Sequence, residues 1–184
     1  SRRFMGDYLL PAKELLRYKH FEDVVAWGGW SLDEHCPGGI LSLDQRPSYF
    51  HERFKKVYEI PYRCLYSKNV PNLMFAGRNV SVSHMALSST RIIGTCCMMG
   101  QAVGVATAMC IEKNINPREI YLSYIDELQE RMLRNDYYIP NRPANDSNDL
   151  TRTVDKVWAT STSSGDVHNL FDGVARDEEN KINN

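Results

Sequence analysis

Residues 72–108 read NLMFAGRNVSVSHMALSSTRIIGTCCMMGQAVGVATA. The order of an apolar run, a glycine, a Ser-rich stretch and a long uncharged segment decides how the chain folds. Asn72–Ala76 ends at Gly77, as a buried strand does. From Ile92 to Ile111 twenty residues carry no charge, and only Thr95, Gln101 and Thr107 have polar side chains. That length permits a membrane span. Three features oppose one: Gly94-Thr95 reads as a turn and cap, a predicted strand closely precedes it, and Ala, Gly, Cys and Thr dilute the hydrophobicity. The segment therefore predicts a helix from about Thr95, apolar all round and buried in a soluble core, with no transmembrane segment. Gly100 and Gly104 fall on one face and let its backbone approach a sheet or ligand closely.

Working outward, Arg2–Leu10 reads as a strand and Ala12–Leu16, after Pro11, as a short helix. Phe21–Tyr58 is dense in Gly, Pro and aromatics without a clean period of 2 or 3.6, so a long irregular loop is expected, of the kind that carries function. Tyr58–Leu65 predicts a short strand broken by Pro61. Downstream, Asn116 as N-cap, Pro117 at the first position and Glu119 at N3 mark a helix whose Ile120, Tyr124, Ile125, Leu128 and Met132 share one side. Residues 140–152 have linker composition. The stretch from Thr153, with β-branched and Ser/Thr residues followed by a DG turn, is too short to close a domain with its own core.

The chain has 184 residues, 42% hydrophobic, with 22 basic and 23 acidic residues interspersed. No basic patch argues for nucleic acid or an anionic membrane surface. Five cysteines without a CxxC pair read as thiols, and the five histidines have no metal-ligand spacing, so no structural metal is expected. The opening SRRFMGDYLL lacks the features of a signal peptide, and an export signal would lie upstream of Ser1.

The motifs of residues 72–108, Ala76-Gly77-Arg78, Ser81, His84, Ser89, Arg91, Gly94-Thr95-Cys96 and Gly100-Gln101-Ala102, resemble the closing segment of the FAD-dependent oxidoreductase family with the glutathione-reductase-like fold. RRFMGDY, WGGWSLDEHCPGG and IPYRCL (Ile60–Leu65) look like further motifs of that family in the same order, so the resemblance covers residues 1–139. Ser88 departs from a usual glycine, and Cys36 from a common proline. The tail from Thr153 is weakly similar to the first strand of a galactose-binding-like β-sandwich. The resemblance implies an α/β fold, the C-terminal portion of a FAD/NAD(P)-binding three-layer fold. Such proteins hold the ADP half of FAD on an N-terminal βαβ unit with a G-x-G-x-x-G loop. No such loop is present: Gly28-Gly29 and Gly38-Gly39 neither follow a clear strand nor open a helix. The expected organisation is residues 1–139 as the C-terminal part of the oxidoreductase domain, a linker over 140–152, and a truncated sandwich start over 153–184, with FAD bound jointly with an upstream part of the same polypeptide.

The residues suggest where chemistry would sit. The N–H groups near Gly94, Thr95 and Cys96 either face the pyrimidine edge of a flavin, where negative charge accumulates on reduction, or form a plain helix start. The resemblance favours the flavin, and places Ala76, Gly77 and Arg78 against its ribityl and phosphate region. Arg91, just before a buried helix, requires an anionic partner, whether substrate, FAD or a structural carboxylate. His84 is a general-base candidate or a hydrogen-bonded structural histidine. Arg63 and Tyr62 are substrate-side candidates beside a proline, while Asp33 and His35 in the glycine-rich loop either line the site or cap its turns, with the structural role favoured. Cys96-Cys97 is read as packing, not as a redox disulfide. The reading that results is hydride transfer from a small organic substrate, carbohydrate-related if the tail is galactose-binding-like, to FAD. In that case the location is periplasmic or secreted, and otherwise cytoplasmic. Rivals are a non-catalytic carbohydrate-associated scaffold and a Cys64/His84 hydrolase.

Overall fold

Tyr58, Glu59, Ile60 and Pro61 are all buried, and an extended segment this enclosed needs a strand beside it. A computed structural model, which describes residues 3–42, 44, 48–163 and 165–174, shows the partner. Strand β1 (Val24–Gly28) pairs antiparallel with β4 (Tyr58–Pro61), Ala26 opposite Ile60 and Gly28 opposite Tyr58. Between them β2 (Leu32–His35) pairs antiparallel with β3 (Ser48–Glu52). The irregular loop expected over 21–58 thus contains three strands. Two causes hid them. In β1 the residues Val24, Val25, Ala26 and Gly28 are all buried, so no alternation shows, and its ladder partner lies some thirty residues away.

Other strand expectations need correcting. Of Arg2–Leu10, Arg2 lies outside the described residues, and the remainder forms only single bridges, Gly6 to Ser67 and Leu10 to Val82. Asn72–Ala76 is extended but not a strand: it makes one bridge, Met74 to Tyr66, and the Phe75 N–H donates to the Leu65 carbonyl at 2.8 Å. Within this run Phe75 is buried, whereas Leu73, Met74 and Ala76 are half-buried.

The helices follow local signals more closely. Helix α1 (Ala12–Leu16) starts after Pro11 as expected. Helix α2 (His84–Thr90) was not anticipated; Ser83 caps it, its hydroxyl accepting from the Ala86 N–H at 3.3 Å and from the Ala12 N–H at 3.2 Å. One side chain therefore ties the starts of α1 and α2 together.

Helix α3 (Ile93–Lys113) begins two residues before Thr95 and ends at Asn114 in the left-handed region, φ 53°. Its burial differs from expectation. Only the stripe Thr95, Met99, Ala102, Ala106 and Met109 is buried, against β1, α4 (Pro117–Ser123) and α5 (Ile125–Leu133). The spacing is that of one helix face. Opposite it, Ile93 is 81% and Ile111 77% exposed, with Cys97, Gly100, Gly104 and Ala108 exposed between them. By length and composition alone α3 is long and apolar enough to cross a membrane. Glu119 accepts from the Asn116 N–H at 3.1 Å as the capping motif requires, but the helix expected to run through Met132 breaks at Tyr124 (φ −136°, ψ 17°) into α4 and α5. Ile120, Leu128 and Met132 are nonetheless buried together.

Described residues of 153–174 contain no strand, only 3-10 turns at Leu150–Thr153 and Val167–Leu170, so the expected first sandwich strand is not formed there. The DG turn is present, with Gly173 at φ 78° and its carbonyl accepting from the Ala144 N–H at 2.8 Å. The end of the expected sandwich segment, 175–184, lies outside the described residues.

Candidate functional site

Capping by Ser83 makes His84 the first residue of α2, and Arg91 follows the helix as its C-cap. His84, Leu87, Ser88 and Arg91 recur at helical spacing, so they share one face. That face looks at β2 across a cavity of about 150 Å³ lined by Asp33, Glu34, His35, Arg78, His84, Leu87, Ser88 and Arg91.

The wall is densely charged. His84 Nε2 lies 3.1 Å from Glu34 Oε1, and His51 Nε2, from β3, lies 3.0 Å from Glu34 Oε2. Both carboxylate oxygens of Glu34 are therefore held by imidazoles. Arg91 finds the acidic neighbour that its position demands: Nη2 donates to the Asp33 carbonyl at 3.0 Å and sits 3.6 Å from Asp33 Oδ2, while Nε donates to the Ser88 carbonyl at 3.3 Å. His35 Nε2 is also 3.6 Å from Asp33 Oδ2. Among the described residues the buried Asp33 Oδ1 has no hydrogen-bond partner. Ser88, the departure from glycine, turns its hydroxyl back to the Met85 carbonyl at 2.7 Å. A Ser is thus accommodated in the helix without placing a free polar group in the cavity.

A hydroxyl network underlies the helix. Tyr58 Oη and Ser89 Oγ are 2.6 Å apart, and the Ser89 hydroxyl donates to the Trp30 carbonyl. Burial raises the Tyr58 pKa and keeps it a neutral phenol. Gly28 is required beneath it, because any side chain there would run into the Tyr58 ring.

Beside the cavity, Ala76 is extended and Gly77 takes φ 83°, a conformation that favours glycine, to open a 3-10 turn over Gly77–Asn79 that packs on α3. Arg78 projects from this turn into the cavity wall. Ile92, the N-cap of α3, offers no side-chain acceptor, and a side chain at Gly94 would meet nothing within 4 Å. The helix start is therefore open. Thr95 is buried, and Cys96 points its thiol at the Thr90 carbonyl, 3.7 Å away. Burial raises the Cys96 pKa, outweighing the opposite effect of Arg78. Cys96 and Cys97 form no bridge.

Arg63 is not gathered with His84 and Arg91. Its Nε and Nη2 donate to the two oxygens of Asp23, each at 2.9 Å, and its backbone N–H adds a third bond at 3.1 Å. Tyr8 and Tyr121 flank the guanidinium, with ring centroids 5.3 Å and 4.6 Å from it. The hydrogen bonds to Asp23 raise the Arg63 pKa further. Tyr62 is likewise committed, its hydroxyl donating to the Pro117 carbonyl at 3.0 Å. Cys64 is wholly buried, and burial raises its pKa, so the thiolate that a hydrolase needs is disfavoured.

Sequence reasoning missed Glu34 and His51 and set Asp33 and His35 aside as structural. The run Asp33-Glu34-His35 was visible, but its meaning depends on α2 being a helix and on β3 bringing His51 across. Among the described residues no group of three or more His, Cys, Asp or Glu side chains is placed to hold a metal ion.

Comparison with curated proteins and with solved structures gives no match. A sequence model of the family described as FAD dependent oxidoreductase matches residues 1–132, which include the cavity, the 77–79 turn and all of α3. A match over that much of the chain shows the family: the chain belongs to the FAD-dependent oxidoreductase family, and FAD is its cofactor.

Proposed function

We propose that the cavity between α2 and β2 is the substrate side of a flavin site, and that the reaction is hydride transfer from an organic substrate to FAD. The carrying observation is that Arg78 belongs to both places: it lines the cavity with His84 and Arg91, and it sits in the Gly77–Asn79 turn packed against α3. The residues suit the group. Gly77 at positive φ and Gly94 leave open space over the backbone, and the uncapped start of a 21-residue helix presents N–H groups and a positive dipole end to an anionic atom. Ala76, Gly77, Arg78, Gly94, Thr95 and Cys96 would hold FAD. Bound there, FAD supplies a ring that accepts hydride from a substrate C–H bond.

His84 takes the substrate proton in this reading. Glu34 Oε1 lies 3.1 Å from its Nε2, with the other Glu34 oxygen occupied by His51, so Glu34 positions the imidazole. Arg91 orients the substrate, and Arg63 stays with Asp23. The bare face of α3 and the extended 72–76 segment take up a further part of the polypeptide, which carries the βαβ unit and completes the three-layer fold.

The test is the absorbance of the full-length protein between 350 and 500 nm, before and after denaturation. A released flavin spectrum is expected. His84→Gln should keep the flavin while anaerobic bleaching by a reducing substrate slows by about 10²–10⁴-fold. A colourless protein that takes up no added FAD would refute the reading.

A further inference from the structure

Asp33 is the buried charged residue of the cavity lining, and its carboxylate is poorly satisfied. Its residue surface is 7% exposed, its Oδ1 has no hydrogen bond, and its Oδ2 has Arg91 Nη2 and His35 Nε2 only at 3.6 Å. Burial of a carboxylate without hydrogen bonds is costly, and the cost is relieved when a donor reaches it. The neighbouring acid differs: Glu34 has an imidazole on each oxygen. Oδ1 is enclosed, so the open acceptor in this wall is Asp33 Oδ2, which has no hydrogen bond among the described residues.

The charge of the wall selects the donor. Arg78 and Arg91 offset Asp33 and Glu34, so a cationic ammonium gains no net attraction, and a carboxylate would face the bare Asp33 oxygen. A neutral hydroxyl suits both: its hydrogen goes to Asp33, and its oxygen or a second hydroxyl accepts from an arginine. At about 150 Å³ the cavity has the liquid volume of about five waters, room for a small polyol or one edge of a sugar ring.

We propose that Asp33 is the acceptor for a hydroxyl group of the ligand, and that this cavity takes a neutral, hydroxyl-bearing compound. The assignment rests on the substrate-side reading of the cavity, and it adds the ligand class and a binding residue to that reading.

The experiment is saturation-transfer NMR on the full-length protein as purified, with glycerol and D-galactose as hydroxyl probes, 1,3-diaminopropane as the amine probe and propionate as the acid probe. The hydroxyl probes should receive saturation and compete with each other, and the other two should not. Asp33→Asn should weaken the hydroxyl probes by roughly 10- to 100-fold, the range for losing a hydrogen bond to a charged group. Should Asp33→Asn fail to fold, Asp33→Glu, which keeps the charge but displaces it, should give the same weakening. Absence of hydroxyl binding, preference for the amine, or equal binding by the variants overturns the proposal. The readout needs no electron transfer, so a protein without flavin would refute the oxidoreductase reading while the Asp33 result still stands or falls alone.

Discussion

Asp23 and Asp33 are both buried and both face an arginine, yet they are built differently. Asp23 is wholly enclosed and receives three hydrogen bonds from Arg63 at 2.9–3.1 Å, with two tyrosine rings over the guanidinium. Asp33 has no hydrogen bond on Oδ1, and Arg91 reaches its backbone carbonyl more closely than its carboxylate. The first pair is closed, so nothing remains for a ligand to gain. The second is open, and the energy missing from it is available to whatever binds. Residue type does not separate a closed arginine from an open one here; completeness of its hydrogen bonding does.

The largest expected effect falls on the closed pair. Arg63→Met leaves a buried carboxylate with only a backbone donor, and should destabilise the intact protein by about 3–5 kcal/mol in urea unfolding. Arg91→Met removes two bonds to carbonyls, one of them within its own helix, and a loose ionic contact, so the expected loss is smaller, about 1–2 kcal/mol, alongside a marked loss of substrate-driven flavin reduction. If both variants lose equal stability, the distinction between closed and open pairs collapses, and Arg91 is structural too. The same comparison extends to the two sides of α3. Met109→Ala, on the buried stripe, should cost about 2–4 kcal/mol through the cavity it leaves.

How much of this could be read beforehand depended on the range of the interactions. The start of α4 was legible because Asn116, Pro117 and Glu119 state it within four residues. The interior of α3 was legible as helix, but its burial was not, since an uncharged helix gives no sign of which face is covered. Strands β1 to β3 were illegible because their evidence is pairing across distant sequence, with bulges beside Val24 and Leu32. The apolar run 72–76 misled for the same reason: hydrophobicity permits a strand, but a neighbour must supply the ladder. Helix α2 was hidden by serine and threonine, which have weak helix propensity, although Ser83 gave the cap. His84 and Arg91 were named from the sequence and line one cavity, while Asp33, Glu34 and His51 needed the fold to bring them together.

A third cluster sets the lower bound of the comparison. On the surface Glu127 accepts from Lys113 at 2.9 Å and from Arg131 at 2.7 Å, and Arg131 also reaches Glu112 at 2.7 Å. The hydrogen bond from Lys113 holds the Glu127 pKa below the ordinary value, with Arg131 assisting. A depressed folded-state pKa adds stability above the unfolded value, near 4.3, and that stability is lost as pH falls through the folded value. Because these side chains are solvated, the effect should be a few tenths of a kcal/mol, and weaker still at high salt. Glu127→Gln should therefore shift the urea midpoint slightly at pH 7, and the shift should vanish on acidification below the depressed pKa. A loss approaching that of Arg63→Met would mean that enclosure is not what separates these ion pairs, and the contrast between Asp23 and Asp33 would need another cause.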